Sequence, residues 1–524
     1  MQRKTLSAPS RAKGDPVSWI VRHLKAAIFS GILIPVVFFV FLSYYNILMY
    51  LSNYYTIFDL GLAYRTMYLF ITTHSLVNWP VPHALVTAKP YTKLIYVPLS
   101  LTLLIYRGPT TVLVDMIAAV SAGGYAIFRI FKIRTSSTIV GLMAQAMYFL
   151  YPATYGLMAH GGNFMIYFTP FLLLSFMYYI EEKPYKSGIF ALLAMLTFSF
   201  ATMLVPLFYL VTIILDKRFY SKQRLNSDNE KVLKKPKNKV QLISSNLAFL
   251  VILFLLGTII LSFEFSMYTV GGLITAARLP VSGQGSASAV SGGSLLNAIF
   301  GTLPYMKANF FLNLLYPLLF LPILTPYSLF ILPFFILVFY ANYFPYYNVS
   351  QQYPSMISAI LFIGMAHFLH KHLRWHAIRK IMVLSIVVST ISFLTLSPFS
   401  ASDIESGYNF TISHVTNLDV ELNKGLSLIP LNSSVFVQND LPQLMDRANV
   451  YMPGYYSNQT VEYAVIVPSD IGFPSDQYSG YDIYWANHFA LNISYGIYEN
   501  IGGILVYKLH FTSSPVYTVL PHLN

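Results

Sequence analysis

Apolar segments long enough, or nearly long enough, to cross a bilayer recur along the first three-quarters of the chain, and a water-soluble fold does not need so many. They run at 27–51, 109–128, 137–155, 164–181, 187–199, 201–216, 243–262, 308–324, 326–343, 354–370 and 381–398. The pattern predicts an α-helical polytopic membrane protein with about eleven transmembrane helices, since helices satisfy their own backbone polar groups in lipid. The pair at 187–199 and 201–216 is read as two short helices because a break there puts both flanking charged loops on one side. Charge is scarce in proportion: 10% of residues are charged and 56% are hydrophobic, against about 25% charged in a soluble domain.

Where the positive charge falls gives the orientation. The formal net charge is +13, but its basic residues sit between apolar runs and not on one soluble face, which argues against a nucleic-acid partner. With the N-terminus inside, 24 of the 33 Lys and Arg residues fall in cytoplasmic segments, as the positive-inside rule requires. The basic N-terminal stretch from Arg3 to Lys25 precedes a long apolar run without an obvious cleavage site, so it reads as a retained signal anchor in a multi-pass protein of the cell membrane. The segment 92–106 is apolar but short, and is placed as a helix at the outer surface. If it spanned, Arg129, Lys132 and Arg134 would face outward against the rule.

Three parts follow: a cytoplasmic segment 1–26, a transmembrane part 27–398 with a first extracytoplasmic loop 52–108, and a small extracytoplasmic α/β domain 399–524. In the last, 433–437 and 461–467 read as strands, 439–446 as a short polar helix, 478–491 as a helix, and 493–509 as a hairpin around Asn500 to Gly503. Five glycosylation sequons, at Asn348, Asn409, Asn432, Asn458 and Asn492, all fall in the last third of the chain and mark it as outward-facing. The serine- and glycine-rich stretch from Val281 to Gly293 reads as a mobile loop. The chain has no cysteine, which removes disulfides, thiolate metal sites and a cysteine nucleophile together.

Acidic residues are rare in the outward half of the transmembrane part: Asp59, Asp115 and Glu264 are the ones found there. Ionisable groups at or within a membrane are costly and so are functional candidates. Asp59, in YYTIFDLGLAYR just after the first span, fits a general base toward an acceptor hydroxyl. It also fits a helix N-cap. Asp115, a few residues into the second span, fits an ion-pair partner of Arg65, Lys89 or Lys93, and Glu264 an ordinary interfacial acid. Arg65, Lys89, Lys93 and Arg278 form an outward cationic set, with His83 nearby, suited to a lipid-linked phosphate or pyrophosphate. Attraction to anionic membrane lipids explains the same residues. His367, His370, His372 and His376 stand beside Lys371, Arg374 and Arg379 and read as interfacial, not as metal ligands. No phosphate loop or dinucleotide fingerprint appears, and no internal repeat of the transporter kind is visible.

Five stretches resemble a known family. They are FDLGLAYR at 58–65, LYPATYGLMAHGGNFMIYFTPFLL at 150–173, PLLFLPILTPYSLFILPFF at 317–335, QQYPSMISAILFIGMAH at 351–367 and IPLNSSVFVQNDLPQLMDRANVYMP at 429–453. In this order and spacing they resemble the polytopic membrane proteins of domain of unknown function 2079, which look like distant relatives of the type C glycosyltransferases. The resemblance implies transfer of a sugar from a polyprenyl-phosphate carrier to an outward acceptor. It also implies a catalytic acid directly after the first span, the position of Asp59, and the Lys89-Pro90 pair looks like the basic-proline step of that loop in some members. A divalent cation is the candidate cofactor, and an envelope protein held by the C-terminal domain is the candidate partner of a non-enzymatic relative. Three positions depart from the pattern: Gly162, Asn163 and Phe164 replace an Asp-Phe-His step, Thr197 to Thr202 lack a Lys-Glu-Asp step, and Gln352-Tyr353 replaces His-Tyr. These departures fit an inactive relative that serves as a scaffold.

Overall fold

The computed structural model describes residues 26, 28, 30–55, 57–74, 76, 93–159, 161–225, 248–262, 304–340, 347–349, 353–372, 374–397, 415–437, 441–451, 460–466, 488–501 and 504–512. The transmembrane part is a helical assembly built round one long helix. After α1 (Leu33–Leu51), a π turn (Ile57–Gly61) leads into α2 (Leu62–Thr73), and the central helix α3 runs from Pro109 to Thr135. Proline at the first helical position costs α3 nothing, because that N–H has no acceptor within the helix. The glycines and alanines through its middle let α1, α4 (Thr138–Phe149), α6 (Phe168–Ile180) and α12 (Ser355–His372) pack against it.

The other apolar segments are shorter or broken, and their breaks have causes. The 137–155 segment is two helices, α4 and α5 (Pro152–Ala159), because Pro152 has no N–H with which to continue the ladder of α4. The 187–216 segment is likewise split, into α7 (Pro184–Met195) and α8 (Ala201–Leu225). At that break the hydroxyls of Thr197 and Thr202 each donate to a carbonyl three residues back, at 2.6 Å. Then come α9 (Ala248–Ser262), α10 (Pro304–Leu315) with two short 3-10 turns as far as Leu324, α11 (Ser328–Tyr340), α12 and α13 (Trp375–Leu396).

Among the described residues, three helices are individually long and apolar enough to cross a membrane: Leu33–Leu51, Pro109–Thr135 and His376–Leu396. Their burial differs with their place. The window in α3 is 67% buried and those in α1 and α13 are 28% buried, so α3 is core and the other two are periphery. Val36, Val40 and Phe41 on α1, and Val387, Ile391 and Leu394 on α13, point outward without a protein neighbour to cover them. In water such faces would aggregate; in acyl chains they need no cover.

The segment expected at the outer surface forms a short helix over 96–104. With four α-helical residues at about 1.5 Å and five 3-10 residues at about 2.0 Å it rises about 16 Å, about half of a hydrocarbon core of about 30 Å. Ile95, Tyr96 and Leu103 are fully buried, whereas Leu101, Leu104, Ile105 and Tyr106 are exposed, the two-faced pattern of a helix lying along a boundary.

Basic side chains gather at the opposite end of the bundle. Arg129 near the end of α3 donates through Nε to Glu181 Oε1 at 2.9 Å, and Lys183 Nζ reaches the other oxygen of the same carboxylate at 2.7 Å. His370 Nδ1, at the end of α12, meets the carbonyl of Arg134 at 2.5 Å, and His367 packs edge-on to Tyr327.

The C-terminal region is a small sheet domain. Helix α14 (Asn417–Ser427) opens on a capping box between Thr416 and Asp419. A five-stranded sheet follows in the order β2-β1-β3-β5-β4, with β1 (Ser434–Val437), β2 (Asn449–Tyr451) and β3 (Tyr463–Ile466) parallel, β5 (Ile504–Leu509) antiparallel to β3, and β4 (Tyr495–Ile501) closing the edge antiparallel to β5. Side chains alternate along a strand, and here the alternation serves two cores. Phe436, Ala464, Ile466 and Tyr507 pack with Phe489 on one face, while Val435, Val437, Val465 and Val506 join the main core of the molecule on the other.

Strands β1, β3 and the closing hairpin lie within the stretches 433–437, 461–467 and 493–509 expected for them; β2 does not follow from the sequence pattern. Nor do residues 439–446 form a polar helix in their described part, which is a single 3-10 turn at Pro442–Leu444. Eleven residues, 438–448, carry the chain from the end of β1 back to the start of β2 parallel to it, and Pro442 among them opens the 3-10 turn. Of the expected helix 478–491, residues 488–491 are described and helical, and the 281–293 loop lies outside the described residues.

Candidate functional site

Asp59 stands on the π turn between α1 and α2, half-buried, at the end of the bundle away from the basic cluster. A carboxylate there needs donors. Asn163 supplies one, its Nδ2 donating to Asp59 Oδ1 at 3.2 Å. The same side chain's Oδ1 accepts from the backbone N–H of Met165 at 3.0 Å, capping the 3-10 turn Phe164–Tyr167 that starts the α6 segment. Asn163 is 2% exposed, so its amide is fixed from both ends and directs its N–H bond at Asp59.

The chain reaches that position through two glycines. Gly161 and Gly162 have φ of +47° and +88°, a backbone region costly for residues with a Cβ. A Cβ on Gly162 would lie 2.9 Å from Val112 Cγ1. Tyr96, on the short outer helix, donates its hydroxyl to the Gly162 carbonyl at 3.1 Å and so ties this turn to the first loop.

Lys93 is the cation on this rim. It is 5% exposed, its Nζ donates to Ser199 Oγ at 3.4 Å in the break between α7 and α8, and it lies 5.5 Å above the Phe164 ring. The backbone of Ile95 also donates to the Leu196 carbonyl at 3.0 Å, so the first loop and that break form one surface. An ammonium held among an aromatic face and a hydroxyl is a strong attractor for phosphate, since little water competes for it.

Asp115 has a different neighbour from the one expected. Among the described residues its carboxylate meets a hydroxyl and not a cation: Thr102 Oγ1 donates to Asp115 Oδ2 at 2.5 Å. The bond joins the short outer helix to α3. Arg65 also has a place other than a phosphate cradle. It is 2% exposed, and its guanidinium donates to three backbone carbonyls of the C-terminal domain, those of Met445 at 2.9 Å, Arg447 at 3.0 Å and Ala448 at 3.3 Å. Burial lowers its pKa to about 10, opposed by the nearby charge of Asp446, so it remains charged at neutral pH.

Lys89, Arg278, His83, Glu264, Asn409 and Asn458 lie outside the described residues. Of the other sequons, Asn432 is exposed in the turn before β1, Asn492 is half-buried before β4 with its side chain accepting from Ser494 N at 3.0 Å, and Asn348 is half-buried. Among the described residues no three His, Cys, Asp or Glu side chains come together as a metal site would require. A small cavity of about 10 Å³, lined by Val120, Tyr148, Thr154, Thr169 and Ser358 among others, lies inside the bundle, with room for about one water.

The rim thus brings together Asp59, Asn163 and the Gly161-Gly162 turn, with Lys93 and Ser199 beside Phe164. Asn163 and Ser199 enter the sequence reading as departures from a pattern and not as parts of a site. The signal was available for Asn163: two glycines followed by Asn before an apolar helical run mark a left-handed turn and a cap.

Residues 91–506 match the model of the family described as predicted membrane protein, DUF2079. The chain belongs to this family. The match covers the transmembrane part from the short outer helix onward and the sheet domain as far as β5, so the association of the two within one chain is a family feature. No curated protein matches the chain.

Proposed function

We propose that this DUF2079 protein transfers a sugar from a polyprenyl-phosphate carrier to an acceptor on the outer side of the membrane. The observation that carries the reading is the half-buried Asp59 carboxylate, aimed by a buried amide and standing on the same rim as the buried cation of Lys93. In the reaction the acceptor hydroxyl hydrogen-bonds to Asp59, which takes its proton as the oxygen attacks the anomeric carbon. The new glycosidic bond forms as the bond from that carbon to the carrier phosphate breaks. Lys93 offsets the charge on the departing phosphate, with Lys89 and Arg278 the further cations that the sequence reading assigns to it. Arg65 is left out of this cradle, because it is buried and three of its N–H donors go to backbone carbonyls of the C-terminal domain.

The topology that goes with this reading has eleven spans, the N-terminal segment 1–26 inside and the domain 399–524 outside with its sequons available for glycosylation. The gathering of Arg129, Lys183 and His370 at the end opposite Asp59 supports it. Reporter tags placed after residue 228 and at the C-terminus are expected on opposite sides of the membrane; labelling on the same side would refute the eleven-span count.

A scaffold that holds an envelope partner is the second reading, favoured by the use of Arg65 as a strut to the outer domain. The two separate in one experiment. The full chain in lipid nanodiscs, given short-chain polyprenyl-phosphate hexoses, is expected to release hexose slowly to water and to gain thermal stability from the carrier. A protein that does neither with any of several hexoses is a scaffold.

A further inference from the structure

We infer that Arg65 is a positioning residue for Asp59, clamping the C-terminal domain as a fixed roof over the turn that carries the carboxylate. The chemical meaning of that placement rests on the transferase reading; the clamp itself does not.

The π turn Ile57–Gly61 continues without a gap into α2, so Asp59 and Arg65 share one helical body and a force on one side chain is felt at the other. Arg65 grips 445–448 by three carbonyls, and that segment has little freedom of its own. Arg447 N donates to Leu444 O at 3.1 Å, and Ala448 N to Leu431 O at 2.8 Å. A rigid planar fork holds its donors in fixed, spread directions that match three carbonyls along a segment, whereas a lysine's donors all leave one compact, rotating ammonium.

Further clasps hold the same two surfaces. Asn53, at the end of α1, donates from Nδ2 to Asp419 Oδ1 at 2.9 Å and accepts from Gln443 Nε2 at 2.8 Å. Tyr64 donates its hydroxyl to Asp446 Oδ2 at 3.4 Å. In sequence these contacts fall on both sides of Asp59, at 53 and at 64 to 65. Between them the π turn packs on the Pro442–Leu444 turn, and Leu60, Leu441, Leu444 and Met445 share one apolar core. The domain therefore holds the Asp59 turn from above while Asn163 holds it from the bundle side.

A domain fixed in this way does not lift to admit a substrate, so an acceptor approaches Asp59 along the membrane rim. The absence of cysteine makes an introduced thiol a unique probe. Asp59→Cys, Asp446→Cys and Asn432→Cys are made separately in the full chain, reconstituted in nanodiscs, and the rate of maleimide labelling is measured with and without Arg65→Gln. The second change is expected to raise labelling of the Asp59→Cys and Asp446→Cys proteins about tenfold or more by local opening, and to leave the already exposed Asn432→Cys probe unchanged.

Faster labelling at 446 with no change at 59 would mean that Arg65 holds the domain alone, and the positioning role falls. No change at either position would overturn the roof as well. If the Arg65→Gln protein is not recovered from membranes, Arg65→Lys keeps the charge but not the fork and is expected to give a smaller increase at 59 and 446; wild-type rates in that variant overturn the inference equally. Sugar transfer is not measured, so failure of the transferase reading would leave these rates as they are.

Discussion

On the proposed transferase function, Asp59→Asn is expected to reduce sugar transfer by about 10²–10⁴-fold, the usual contribution of a general base, while leaving the protein as abundant as wild type. The amide that replaces the carboxylate still offers an oxygen to Asn163 Nδ2, now 3.2 Å from Asp59 Oδ1, and the cap of α2 is Gly61, not Asp59. Charge is therefore the main thing removed. Asp59→Ala removes both, leaving the buried Asn163 donor without that acceptor at a cost of about 1–3 kcal/mol. Both variants should lose transfer, and the alanine protein should also be less stable. The checks are the host glycan or hexose release for activity, and the quantity of folded protein in membranes for stability. If the asparagine variant still supports transfer and the alanine variant is merely depleted, Asp59 has a structural role, and the scaffold reading takes over.

Gly162→Ala is expected to be among the most damaging single methyl additions in the outer rim. A left-handed backbone costs a residue with a Cβ about 1–2 kcal/mol, and φ here is +88°. The new carbon would also stand 2.9 Å from Val112 Cγ1 on the central helix, with the Leu60 backbone at 3.4 Å on the other side. Overpacking of that kind adds about 1–3 kcal/mol, for a total of about 2–5 kcal/mol. Relief by moving Leu60 carries the adjacent Asp59 with it, so transfer should fall together with stability. Gly188→Ala in α7 is the matched control. A Cβ there meets the Phe249 ring at 3.5 Å, an ordinary contact, and alanine favours the helix by up to about 1 kcal/mol. The temperature at which the purified protein loses monodispersity should drop by many degrees for the first variant and stay level or rise for the second. Equal melting of the two would remove the argument from backbone strain.

The rim also shows how a membrane protein uses polar side chains sparingly. Asp115 with Thr102, Lys93 with Ser199 and Asp59 with Asn163 each join the first loop or its flanks to a helix or an interhelical turn of the bundle. Each contact fixes the loop where lipid begins, and a buried group left without its partner costs more than the bond itself gains. A carboxylate or ammonium at such a place is held in position before any substrate arrives.

The sequence by itself determined the solvent of each part. Long apolar segments with charge confined to their ends made the helical membrane assembly legible, and short apolar runs rich in β-branched and aromatic residues at 433–437 and 461–467 made two strands of the C-terminal domain legible, because both signals are local. It also singled out Asp59, since few carboxylates stand in the outward half. The tertiary structure alone decided what those residues touch. Arg65 reads as a surface cation from its neighbours in sequence, yet it is buried under three carbonyls more than 370 positions away. Asn163 reads as the loss of a family carboxylate step, yet its amide meets Asp59 across 104 positions. Strand β2 carries too short a pattern to announce itself and exists because β1 supplies its hydrogen bonds. A side chain's charge and size are written in the sequence, whereas its partner depends on which distant backbone the packing of α2, α3 and α6 brings within 3 Å.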